Sequence, residues 1–139
     1  MLKSNRGPVA DVLRLFAVDI EDVAVLSAHL EGAQLVVGQM AYLPKQRRFA
    51  FVAERKREGS GAMQTFGVHF EGVARVEHKN VAQDHPDTLL NLLAITFDPL
   101  DSPAGHIVLH CAQGRVIRLE VDYIEAALSD LADGKGEEA

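Results

Sequence analysis

The sequence predicts an α+β fold: a mainly antiparallel sheet of about seven strands, one helix in the N-terminal half and a second at the C-terminus. Three observations carry this expectation. Short runs with apolar residues at alternate positions, separated by turn-forming clusters, fill most of the 139 residues. The links between these runs are short or hairpin-like, which favours antiparallel pairing over a doubly wound parallel sheet. Finally, the strand-to-helix junction Arg14-Leu15-Phe16-Ala17-Val18-Asp19-Ile20-Glu21-Asp22 is echoed near the end as Arg118-Leu119-Glu120-Val121-Asp122-Tyr123-Ile124-Glu125. In each, an Asp can cap a helix and an acidic residue three positions later can complete a capping box.

The elements follow in order. A strand over 12–18 leads to a helix over 20–30, where Ile20, Val23, Leu26 and Leu30 recur at helical spacing and Gly32 suits a left-handed cap. Residues 35–43 and 48–55 are rich in β-branched and aromatic side chains, and Pro44-Lys45-Gln46-Arg47 between them has turn composition, so they form a hairpin with a basic tip. Residues 56–63 combine charge with glycine and read as a mobile connector. Phe66, Val68, Phe70, Ala74 and Val76 then alternate as one long strand or two joined near Gly72.

A second loop spans 79–88, where Pro86 disfavours helix at His85. Asp87 could cap a short helical turn through Leu90, which places the next strand from about Asn91 to Phe97. Ile107, Leu109 and Cys111 share one face of a hairpin, Gln113-Gly114 is its turn, and Ile117, Leu119 and Val121 face them from the partner strand. The last helix is expected from Tyr123 to about Leu131. Such an order suggests a pleckstrin-homology-like barrel or half-barrel closed by the terminal helix, with an open curved sheet carrying two helices as the competitor. Residues 1–11 and 133–139 lack periodicity and read as flexible ends around a single domain over 12–132.

Composition narrows the function. At this length folding buries roughly two thirds of the unfolded surface, enough for a self-sufficient core. The single cysteine, Cys111, excludes an intrachain disulfide and points to a reducing, cytoplasmic setting. The longest apolar runs fall short of the roughly 20 residues a membrane span needs, and the first residues lack the apolar core of a signal peptide. A net charge of -6 argues against nucleic acid as the main partner. Against that acidic background, Lys45, Arg47, Arg48, Arg55, Lys56 and Arg57 cluster in sequence as one basic surface.

The basic hairpin tip is the best candidate binding site: Lys45, Arg47 and Arg48, with Tyr42 beside them. Guanidinium groups there could fork onto phosphate or carboxylate oxygens, although Arg47 and Arg48 point to opposite strand faces and an internally paired turn is the blander alternative. Tyr42 and Phe49 could stack bases, but aromatics in a hairpin are more often core. His78, Asp84, His85 and Asp87 carry metal-ligand side chains without the spacing of a zinc motif, so no metal or cofactor is expected. Cys111 beside His110 faces the core and reads as an inert thiol. Asp19 and Asp122 are explained by capping without any substrate.

Set side by side, Leu26-Ser27-Ala28-His29-Leu30, Met40-Ala41-Tyr42-Leu43-Pro44-Lys45-Gln46-Arg47-Arg48-Phe49, Leu92-Leu93-Ala94-Ile95-Thr96-Phe97 and Ile117-Arg118-Leu119-Glu120-Val121 resemble the uncharacterised bacterial family known as domain of unknown function 2948. The resemblance runs over residues 13–131 and implies no activity. From the residues themselves, the leading expectation is a non-enzymatic binding or adaptor module that contacts a protein partner through a strand edge or the basic hairpin. The alternatives are a small-ligand binder or enzyme with a pocket between sheet and helix, where His78, His85 or His110 would act, and RNA association through the basic tip. A homodimer is a further expectation, because an unclosed sheet leaves edges to be paired.

Overall fold

A computed structural model describes residues 14–57, 59–81 and 85–131. The expected flexible ends and Asp84 lie outside these residues. The first strand, β1 (Arg14–Ala17), runs into the single α-helix among the described residues, α1 (Ile20–Leu30). Asp19 caps it as expected, the Asp22 N–H donating to Asp19 Oδ1 at 2.8 Å; the return bond of the expected capping box is displaced by one residue, with Asp22 Oδ2 accepting from the Val18 N–H at 2.9 Å. Val23, Leu26 and Leu30 are buried, each worth about 2 kcal/mol of apolar transfer, and Gly32 takes the left-handed conformation at φ 85°. Replacing Asp19 by Ala leaves the N-terminal amides of α1 uncapped, and a loss of about 1 kcal/mol is expected in urea unfolding.

Nine further strands follow among the described residues: β2 (Gln34–Val36), β3 (Ala41–Leu43), β4 (Arg48–Lys56), β5 (Met63–Phe70), β6 (Val73–Lys79), β7 (Leu89–Pro99), β8 (Gly105–Cys111), β9 (Val116–Val121) and β10 (Ala126–Asp130). Every pairing is antiparallel, in the order β1-β10-β5-β4-β2-β7-β8-β9-β6, with β3 joined to β4 beyond the end of β2. The sheet is open and strongly curved over one contiguous core containing Phe66, Phe70, Leu35, Leu90, Leu92, Ile107, Leu109 and Leu119. Helix α1 packs on β7, where Ser27 Oγ accepts the Ile95 N–H at 2.8 Å, just past a β-bulge between Leu92 and Ala94.

Several expectations are corrected. The C-terminal segment is a strand and not a helix: β10 lies between β1 and β5, with Ala126, Leu128 and Asp130 buried and Ala127 and Ser129 half-buried between them. Strand ladders on both sides satisfy its backbone, which outweighs the helix preference of its alanines. With ten strands rather than seven and no second helix among the described residues, the arrangement is an open, antiparallel curved sheet with one helix, neither the pleckstrin-homology-like barrel or half-barrel closed by a terminal helix nor a sheet carrying two helices.

The strand expected over 35–43 is broken by a 3-10 turn at Val37–Gln39. There the Gly38 N–H donates to Pro86 O at 2.8 Å, and a Cβ on Gly38 would sit 2.9 Å from Pro86 Cβ. Where a mobile connector was expected over 56–63, the described residues form a hairpin loop, because β4 and β5 pair as far as Lys56 opposite Met63 and the Arg57 N–H donates to Ala62 O at 2.7 Å. Gly72, at φ 68°, divides the long alternating run into β5 and β6, and the turn expected from Asp87 through Leu90 is not helical: β7 begins at Leu89 rather than Asn91.

Candidate functional site

Curvature brings β6 and β3, distant in the hydrogen-bonded order, to face each other across a seam. β6 pairs with β9 and β3 with β4; among the described residues neither has a strand partner on its other edge. One end of the seam is pinned. The Tyr42 hydroxyl donates to Val73 O at 3.0 Å, and the Val73 N–H donates to Arg47 O at 2.9 Å. Beyond Val73 the strands diverge around a cleft of about 510 Å³. Val37, Gly38, Met40 and Tyr42 line one side and Val76 and His78 the other; buried Phe49, Val81 and Ile117 complete the lining. A second hollow of about 670 Å³ shares Val76 and His78 and adds Glu77, Lys79, Val116 and Arg118.

The hairpin tip stands next to this cleft, and its two arginines are engaged within the molecule. Arg47 pairs with Asp122, the residue expected to cap the absent last helix. Its backbone adopts φ 54°, which turns its side chain out of the plain strand alternation. Arg48 Nε donates to Glu71 Oε2 at 2.8 Å, and the same carboxylate oxygen lies 2.5 Å from His69 Nδ1. Lys45 is exposed, and Tyr42 is half-buried with its hydroxyl spent on Val73. Phe49 is only 4 % exposed and belongs to the core. The six basic residues do not form one surface, since Arg48 and Arg55 lie at opposite ends of β4, ~23 Å apart at about 3.3 Å per residue. At the far end, Arg55 sits over the Phe66 ring, 5.8 Å from its centroid.

On the outer face, β6 and β9 carry matched charges. Arg118 holds Glu77 through Nε at 2.9 Å and Nη2 at 2.5 Å, while Arg75 lies 3.5 Å from both Glu77 and Glu120. The Arg118 hydrogen bonds keep the Glu77 carboxyl below its ordinary value of 4.5, with the charges of Arg118, Arg75 and His106 adding to the effect and partial desolvation opposing it. A depressed carboxyl pKa contributes stability above the unfolded value, lost as pH falls through the folded one. An NMR titration is expected to show the Glu77 midpoint rising towards 4.5 in Arg118→Ala.

The remaining chemistry-bearing groups do not converge. Burial raises the Cys111 thiol to about 11, against a smaller opposing effect of Arg115, and its neighbour His110 engages Thr96 Oγ1 at 2.8 Å on the outer face. Among the described residues no three His, Cys, Asp or Glu side chains are placed to hold a metal. Of His78, His85 and His110, only His78 lines the cleft. No helix among the described residues is long and apolar enough to cross a membrane. Of the cleft residues, Tyr42, Phe49 and His78 stood out in the sequence, whereas Val37, Met40, Val76 and Ile117 did not. The available signal was the even spacing that places Val76 and His78 on one face of β6; the seam itself arises from long-range pairing.

The sequence matches, over residues 13–138, the family described as Protein of unknown function (DUF2948), and the chain belongs to that family. No curated protein and no solved structure matches it.

Proposed function

We propose that this family member is a non-catalytic binding module whose protein partner docks in the cleft between β3 and β6. The observation that carries this reading is the meeting of an apolar trough with a strand edge that has no strand partner among the described residues: β6 offers backbone N–H and C=O groups beside Met40, Val76 and Ile117. Edge strands of this kind recruit extended segments, with main-chain hydrogen bonds supplying affinity and side-chain pockets supplying selectivity. Within this reading Tyr42 is a wall of the site and Lys45 a rim charge, while Arg47 and Arg48 hold the hairpin against Asp122 and Glu71. Their occupation by carboxylates counts against RNA association through the tip.

Peptides selected from a random display library on the immobilised chain test the proposal. They are expected to lose at least about tenfold in affinity for Met40→Asp, a difference of about 1.4 kcal/mol, while the variant keeps a cooperative melt. Failure to enrich any peptide, or equal affinity for both proteins, contradicts it. The cleft volume also fits a small-molecule site, for which about 300–1,000 Å³ is typical. In that case a fragment screen would yield ligands that compete at the cleft while no peptide does.

A further inference from the structure

The pins at Val73 limit the free edge of β6 to its Val76–Lys79 end, four residues or ~13 Å of strand. Side chains alternate there. Val76 and His78 face the cleft, whereas Arg75, Glu77 and Lys79 lie on the outer face. The outer-face charges are unequal in their state: Arg75 and Glu77 are matched by Glu120 and Arg118, and Lys79 has no ion-pair partner among the described residues. Its neighbour on β9 is Val116, which offers no charge.

We propose that the cleft takes an extended segment of a partner protein in which apolar residues alternate, seated against Met40 and Val76, with an acidic residue opposite Lys79. The proposal rests on the binding-module reading and adds the chemistry of the partner. Apolar side chains at every second position reach the trough, and the intervening position meets the Lys79 ammonium group. Opposite charges on directly facing strand positions attract, and like charges there repel. A short segment suffices, because the pinned end stops a strand from running the full length of β6.

The test uses two fluorescein-labelled synthetic peptides, Val-Glu-Val-Thr-Val and Val-Lys-Val-Thr-Val, each flanked by Gly-Ser, and anisotropy titrations with the full chain. Wild type is expected to prefer the Glu peptide by about three- to tenfold, and Lys79→Glu to invert that order. Equal binding of both peptides, lost together in Met40→Asp, overturns the acidic assignment and leaves the cleft standing. Binding that survives both Met40→Asp and the milder Val76→Thr, in variants with cooperative melts, overturns the cleft reading as well. Binding of neither peptide overturns both. A dimer in sedimentation equilibrium that Lys79→Glu dissociates makes the occupant a second copy of the chain and overturns the proposal.

Discussion

Leu128→Ala is expected to destabilise the protein by about 2–5 kcal/mol in urea unfolding, whereas Ala127→Ser should stay within about 0.5 kcal/mol. Leu128 is 1 % exposed and stands in β10 between Leu15 of β1 and Val68 of β5. Truncating it leaves a cavity where three strands meet the core. Its neighbour Ala127 faces outward beside His69 and is only half-buried, so a hydroxyl there keeps access to water. A large effect at Leu128 together with a small one at Ala127 is the signature of period-two burial; comparable losses at both positions would contradict β10.

Gly72→Ala is expected to cost about 1–3 kcal/mol. The larger part comes from φ 68°, since a left-handed conformation costs an L-residue with a Cβ roughly 1–2 kcal/mol. The remainder is steric, because the new Cβ would lie 2.7 Å from Tyr123 Cζ. Tyr123 is 41 % exposed and its ring can swing aside. Introducing Gly72→Ala into a Tyr123→Ala background should therefore recover the steric part and not the backbone part. Full recovery would show that the backbone conformation carries no penalty. The turn matters beyond stability because Gly72 O accepts the Asp122 N–H at 3.0 Å and the next residue, Val73, pins the seam.

Local chemistry made much of the fold legible. Asp19, the spacing of Val23, Leu26 and Leu30, and Gly32 mark α1 from local pattern alone. The hairpin of β8 and β9 was equally clear, since Ile107, Leu109, Ile117 and Leu119 alternate on either side of Gln113-Gly114. What local pattern could not supply was context. Asp122 with Glu125 copies the cap at Asp19, yet residues 126–130 pair with β5 and β1, and Asp122 neutralises Arg47 instead. Leu93 and Ile95 alternate with Phe97 in sequence, but the bulge in β7 leaves Leu93 54 % exposed while Ile95 is buried. The site was half legible for the same reason. Tyr42 and the basic tip stood out as local features, whereas their opposition to β6 depends on residues about 30 positions away coming together through sheet curvature.

The most direct measurement is a ¹⁵N-HSQC titration of the full chain with a peptide selected on it. Shift changes concentrated at residues 37–42 and 76–79, with α1 and β10 unmoved, are the predicted result. Changes centred on α1 or β1, with the amides of Met40, Val76 and His78 unaffected, would contradict a binding cleft between β3 and β6.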